Sequence, residues 1–316
     1  MTAAGPGDRR AAMIFDRPNE LSGTSNLFER VAIIGIGLIG SSLARVIRRD
    51  CPGTAIVACA RRAETLDAVR RLGIADTATD DPAAAVAGAD LVVIATPLSA
   101  YAEIAARIAP ALRPGAIITD VGSCKAAVIR DLAPLAAAGM RLVPGHPVAG
   151  TEHSGPEAGF AEMFRDRWCI LTPTADTDPD ALAKIRQLWE LAGMRVTTMA
   201  PDHHDMVLAM TSHLPHLIAY TIVGTATALG DDLKSEVIAF SAGGFRDFTR
   251  IAASDPVMWR DIFMKNREAV LDVLQRFNED LTALQRAIRW GEAETLEKRF
   301  RETRAIRRSI IKAKQA

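Results

Sequence analysis

The chain has 316 residues, 49% of them hydrophobic, with 38 acidic and 38 basic side chains and a formal net charge of zero. That length accommodates two domains with real cores, and the composition excludes a disordered or fibrous chain. A balanced charge argues against a nucleic-acid partner, which would leave a basic footprint.

Residues 1–29 read as a loosely ordered tail, mixed in charge, rich in Gly and Pro, and lacking the apolar core of a signal peptide. The apolar runs elsewhere read as too short to cross a bilayer. Cys51, Cys59, Cys124 and Cys169 show neither a C-x-x-C nor a metal-ligand spacing. The expectation is a soluble, cytoplasmic protein with reduced thiols, no bound metal and no membrane partner.

From Arg30 to Met199, short apolar runs ("RVAIIG", "AIVACA", "LVVIATP", "AIITDVG", "RLVPG", "CILTP", "RVTT") alternate with helical patterns such as "GSSLARVIRRD". Continuous apolar strands between helices indicate an α/β, Rossmann-type doubly wound sheet covered on both faces. After Pro201 the pattern becomes helical, including a long amphipathic stretch in which Ile262, Phe263, Val270, Leu271 and Leu274 return at three- and four-residue steps. The chain therefore divides into a dinucleotide-binding domain over 30–199 and an all-helical domain over 200–316, with a ligand cleft expected between them.

"VAIIGIGLIGSSLARVI" carries Gly35, Gly37 and Gly40 in the G-x-G-x-x-G pattern, after an apolar strand and at the opening of a helix. Gly35 permits the tight turn, Gly37 the approach of pyrophosphate, and Gly40 close helix–strand packing. Leu38 and Ile39 open the helix whose amides face the phosphates. Thr96 and Pro97, at the end of a later strand, are assigned to the same face. About 20 residues beyond the glycines, where an acid would grip the ribose hydroxyls of NAD, stands Ala60, followed by Arg61 and Arg62. Two guanidinium groups in place of an acid favour a 2′-phosphate, so the cofactor is NAD(P) with NADP preferred.

Three further stretches resist explanation as packing. "DVGSCK" sets Ser123 and Lys125 at the carboxyl end of a strand; "TSHLPH" sets Ser212, His213 and His216 near a helix start; "GGFRDFTRIAASDPVMWRD" holds Gly243, Arg246, Asp247, Arg250 and Trp259. In "RLVPGHPVAGTEHSG", His146 stands between Gly and Pro on a stretch with neither helical nor strand periodicity. Together with "IIGIGLIGSS", these motifs resemble the prephenate and arogenate dehydrogenases of tyrosine biosynthesis across about residues 30–290. No stretch resembles a fused chorismate mutase, and the residues after 290 are too few for a regulatory ACT domain.

The resemblance implies oxidative decarboxylation of a cyclohexadienyl substrate with a nicotinamide cofactor. It further implies a homodimer formed through the helical domain, for which residues 257–290 offer an apolar face. His146 matches the family's base, and Ser123 the serine between nicotinamide and ring hydroxyl. Arg250 matches a carboxylate-binding arginine, His216 and Ser212 the side-chain end of the substrate, and Thr151 and Glu152 the loop that closes over it. Gly243 and Trp259 are grouped with the substrate site, Trp259 equally as a core aromatic. Asp247 is one helical turn from Arg250 and suited to orient it. "FSAGGF" offers no acid to an amino group, which favours prephenate over arogenate, or an enzyme that accepts both.

Other readings compete. His213 and His216, three apart, match a metal pair but lack a third ligand. His153, His203 and His204 read as surface or capping residues, and Lys125 equally as an exposed helix residue or a ligand contact. A β-hydroxyacid dehydrogenase would need a lysine motif in the helical domain, which Lys234 and Lys265 do not supply. A non-catalytic NADP-binding regulator shares the fold but has no use for His146, Ser123 and Arg250 together.

Overall fold

The computed structural model describes residues 27–312, apart from 152, 229–235, 237–238 and 241–242. Of the expected site residues, Glu152 lies outside the described set, as do Lys234 and residues 241–242 of "FSAGGF". Phe28, assigned to the tail, is buried in the core, and its carbonyl accepts from Thr54 Oγ1 at 2.7 Å. Packing therefore begins ahead of the first strand.

The first part of the chain runs β1 (Arg30–Ile34), α1 (Leu38–Asp50), β2 (Ala55–Cys59), α2 (Ala63–Leu72), β3 (Thr77–Thr79), α3 (Pro82–Val86), β4 (Leu91–Ile94), α4 (Tyr101–Ile108), β5 (Ile117–Asp120), α5 (Lys125–Ala137) and β6 (Arg141–Val143). Its strands form one six-stranded sheet in the order β3-β2-β1-β4-β5-β6. Every pairing in it is parallel. β4 is buried at all four positions, as expected where helices cover both faces. One face packs against α1 and against α6 (Pro179–Leu191), with Trp189 at its centre. The other packs against α4 and α5 and also takes in Trp259 and Ile262 from the helical part, so the two parts share a core.

Four strands depart from the sequence reading, the first of them β3, a three-residue edge strand that no apolar run marks. "CILTP" and "RVTT" do not extend the large sheet; β8 (Trp168–Leu171) and β9 (Arg195–Thr198) form a separate sheet with β7 (Gly145–Pro147), in the order β7-β8-β9. His146, read as irregular, sits at the middle of β7 and pairs antiparallel with Ile170. A three-residue strand that follows Pro144 and ends on Pro147 is too short to show a period, and the partner of His146 lies 24 positions away.

The helical part opens with α7 (Pro201–Leu208), a single π-type turn (Ala209–His213) and α8 (Leu214–Thr227). One helical stretch, Pro201–Thr227, is 27 residues long and its most apolar part, with mean hydropathy 1.4, meets by length and composition alone the requirement that the apolar runs were expected to miss. Its inward face nevertheless carries buried His204, Asp205 and His213 against the rest of the protein. The long amphipathic stretch divides into helices Pro256–Lys265 and Arg267–Trp290. The break is at Asn266, a buried residue whose side chain is drawn into the polar cluster described below. Asp255 caps the first of these helices by accepting from Met258 N at 2.7 Å, with Pro256 at the first helical position.

Candidate functional site

The glycine loop is built as its spacing demands. Gly35 has φ +96°, and a Cβ there would stand 2.4 Å from Ala95 O; a Cβ on Gly40 would stand 2.2 Å from Gly35 O. Gly37 instead faces open space at the head of α1. That helix has no side-chain cap and no acidic residue in its first turn, so the amides at Leu38 and Ile39 present an unopposed positive end. Thr96 Oγ1, beside the loop at the end of β4, is buried without a hydrogen-bond partner. An uncapped helix head, an opening at Gly37 and an orphaned hydroxyl suit a dinucleotide. Ala60 is half-buried just past β2, Arg61 and Arg62 are exposed beside it, and Pro97 is exposed at the rim.

The carboxyl ends of β5 and β6 carry the second half of the site. Lys125 begins α5, yet its side chain is wholly buried. Its Nζ donates to Asp120 Oδ2 and to Gly145 O, each at 2.6 Å. Asp120 also accepts from Gly122 N at 2.7 Å, from Gly145 N at 3.1 Å and from Tyr101 Oη at 3.3 Å. The reading of Lys125 as an exposed helix residue or ligand contact is thereby corrected: it is an internal clamp joining β5 to the strand that holds His146. Ser123 is half-buried, two residues before α5 begins.

His146 is 8% exposed, and its Nδ1 lies 2.9 Å from His204 Nε2. His204 Nδ1 lies in turn 2.8 Å from Asp205 Oδ1. Asp205 accepts from the amides of Lys125 at 2.7 Å and Ala126 at 2.9 Å, the first turn of α5. Burial first, then the charges of His204, Lys125 and His213, push the pKa of His146 well below 6.5. It is neutral at pH 7. Burial would raise the Asp205 carboxyl, but the His204 and backbone hydrogen bonds outweigh it and hold the group below its ordinary value. His204, expected at the surface, is fully buried; His153 and His203 are exposed as expected.

The cluster continues into the helical part. Asn266 Nδ2 donates to Asp205 O at 2.8 Å and lies 3.1 Å from His213 Nδ1. His213 meets Trp259 edge-on at 6.1 Å, and Trp259 stacks on His216 with ring centroids 3.5 Å apart. Trp259 is thus a buried core aromatic that orients His216. Its Nε1 and the Nε2 of His213 are buried without partners. His216 Nδ1 bonds to Ser212 O at 2.9 Å, with Ser212 half-buried on the π-type turn. Burial lowers the His216 pKa, the Ser212 carbonyl opposes this, and nearby Arg250 adds to the lowering. Arg250, Asp247, Gly243 and Thr151 are exposed, and Thr151 Oγ1 accepts from His153 N at 3.3 Å. Among the described residues no cluster of three or more His, Cys, Asp or Glu could hold a metal.

Sequence reasoning missed His204, Asp205, Asn266 and the burial of Lys125. A faint signal existed for the first: His204 and Leu208 are one helical turn apart and share the buried face of α7.

The sheet order, the glycine loop at the head of α1 and the polar cluster at the strand ends define a Rossmann-type dinucleotide-binding protein with a helical domain attached. Residues 43–198 match the family model for "Prephenate dehydrogenase, nucleotide-binding domain", and residues 200–302 that for "Prephenate dehydrogenase, dimerization domain". The chain is 43% identical to cyclohexadienyl dehydrogenase of Zymomonas mobilis subsp. mobilis, covering 90% of this chain and 97% of that one. It is 34% identical to prephenate dehydrogenase of Bacillus subtilis, covering 86% and 73% respectively. Its fold is similar to that of prephenate dehydrogenase from A. aeolicus in complex with hydroxyphenyl propionate and NAD+. That match has TM-score 0.83 and 34% identity, over 92% of this chain and all of the other. The chain belongs to the prephenate dehydrogenase family.

Proposed function

We propose that the protein oxidatively decarboxylates prephenate, with arogenate as the alternative substrate, using a nicotinamide dinucleotide as oxidant. The observation that carries this reading is His146: a buried, neutral imidazole on β7, a strand tied through Gly145 to Asp120 and Lys125 at the carboxyl end of β5. A neutral imidazole accepts the proton of the ring hydroxyl as the carbinol carbon loses hydride. Carbon dioxide leaves as the ring becomes aromatic. The dinucleotide, when bound, supplies the hydride acceptor. Gly35, Gly37, Leu38, Ile39 and Gly40 would hold its pyrophosphate, with Thr96 and Pro97 beside its nicotinamide half. Ser123 orients the hydroxyl. Arg250 grips a substrate carboxylate with charge-assisted hydrogen bonds, and His216 and Ser212 hold the side-chain end. Thr151 and Glu152 belong to the loop that closes over the ligand, Gly243 is grouped with the substrate site, and Trp259 acts through the His216 on which it stacks.

NADP is the preferred cofactor in this reading, supported by Ala60 and the exposed Arg61 and Arg62 past β2. The division at residues 199/200 is supported by two family matches that meet there. A homodimer is supported by the description of the second match and by exposed Val257, Met264, Leu271, Leu281 and Ile288 on the helices it covers. A cytoplasmic setting is supported by four cysteines that are all free and buried. The test is steady-state kinetics with prephenate and arogenate, each with NADP and NAD. Turnover is expected with prephenate and NADP; inactivity in all four combinations refutes the function, and a tenfold preference for NAD refutes the cofactor assignment.

A further inference from the structure

The reading of His146 as the base leaves open why α7 brings a second histidine and a carboxylate to it. The three groups lie in line: His146 Nδ1 to His204 Nε2 at 2.9 Å, and His204 Nδ1 to Asp205 Oδ1 at 2.8 Å. An ionised carboxylate only accepts hydrogen bonds, and Asp205 already takes two from the first turn of α5. The proton between Asp205 and His204 therefore sits on His204 Nδ1. Burial keeps His204 neutral, so its Nε2 carries a lone pair and accepts. The proton between the two histidines must then sit on His146 Nδ1, which leaves the lone pair of His146 on Nε2.

We infer that His204 and Asp205 are positioning residues that hold His146 in the Nδ1–H tautomer, with Nε2 as the proton acceptor, and register it with the Ser123 turn. The inference rests on the reading of His146 as the base. Asp205 has a double attachment. Its carboxylate bonds the amides that open α5, two residues past Ser123, and it orients His146 through His204. One carboxylate from the helical part thus sets both groups that the Rossmann part presents. The Lys125 clamp on Gly145 O fixes the strand beneath His146 but does not touch the ring, so tautomer choice is left to His204. Fixing a tautomer through a buried carboxylate is a known way to ready an imidazole for proton transfer, and the wrong tautomer is costly.

The experiment compares two replacements of His204. His204→Gln sets an amide oxygen near the place of Nε2 and can still turn its NH2 towards Asp205. His204→Phe fills the space and accepts nothing. Phe is expected to lower kcat by roughly 10²–10³-fold with KM changed less than about threefold, as for a mispositioned general base. Gln is expected to recover at least about tenfold of that loss. In parallel, 15N spectra of histidine-labelled wild-type enzyme should show His146 Nδ1 as pyrrole-type and Nε2 as pyridine-type, a signature that needs no variant to fold. The inference is overturned by wild-type His146 protonated on Nε2, by Phe retaining kcat within about fivefold, by Gln no better than Phe, or by an effect confined to KM. His146→Asn separates the two levels. If that variant keeps full turnover, the base reading itself has failed; if it is inactive while His204→Phe is active, only the positioning role has.

Discussion

Replacing Lys125 by Met removes a buried charge while keeping most of the apolar stem. Both partners of the ion pair are wholly inaccessible, with Nζ to Asp120 Oδ2 and to Gly145 O each at 2.6 Å. In the variant Asp120 keeps the amides of Gly122 and Gly145 and the Tyr101 hydroxyl, but no cation faces it. Gly145 O also loses this donor. Breaking one side of a buried pair costs about 3–5 kcal/mol, because the remaining charge stays desolvated. At about 2–4 °C per kcal/mol for a domain of this size, the melting temperature should fall by roughly 10 °C. Urea unfolding at fixed protein concentration, followed by tryptophan fluorescence, measures the change. Adding Asp120→Asn removes the stranded charge, so the double variant should be more stable than the sum of the singles by about 1–3 kcal/mol. A loss below about 1 kcal/mol for Lys125→Met, as for an exposed pair, refutes the reasoning; so does strict additivity in the double variant.

Four further outcomes follow. His146→Asn should lower kcat by roughly 10²–10⁴-fold with little change in KM, whereas Arg250→Ala should mainly raise KM; exchanged signatures in steady-state kinetics reverse the two roles. The acid limb of kcat/KM should fall below pH 6.5, because burial and neighbouring positive charge depress His146 and only its neutral form accepts a proton; a limb above 6.5 contradicts this. Stability should also drop with acid through His213, whose pKa falls from 6.5 to about 4 on folding, with burial the first cause. Above pH 6.5 both states are neutral, whereas between 6.5 and 4 the unfolded chain binds the proton first. Stability is therefore lost over that window, by about 2 kcal/mol between pH 7 and 5. His213→Asn, which keeps an acceptor for Asn266, should lack that share in urea titrations at the two pH values. Arg61→Ala with Arg62→Ala should raise KM for NADP more than for NAD, and equal effects would remove the 2′-phosphate argument.

The sequence alone determined whatever repeats along a single element or rests on a contiguous motif. Apolar runs marked every strand of the large sheet except the edge strand β3, three- and four-residue spacing marked the helical second half, and the glycines fell where the turn and the helix packing need them. His146, Ser123 and Arg250 were found because each stands inside a distinctive short stretch. Their roles came from resemblance rather than from period. The tertiary structure alone decided which polar residues are buried together. Lys125 begins a helix, where a lysine is ordinarily solvated, and becomes internal because Asp120 and the Gly145 carbonyl converge on it. His204 lies 58 positions from His146, and Asp205 lies 80 from the Lys125 amide. No local pattern encodes such separations. Periodicity reports which face of an element turns inward; what meets that face, and hence which nitrogen of His146 carries the proton, depends on how distant elements pack.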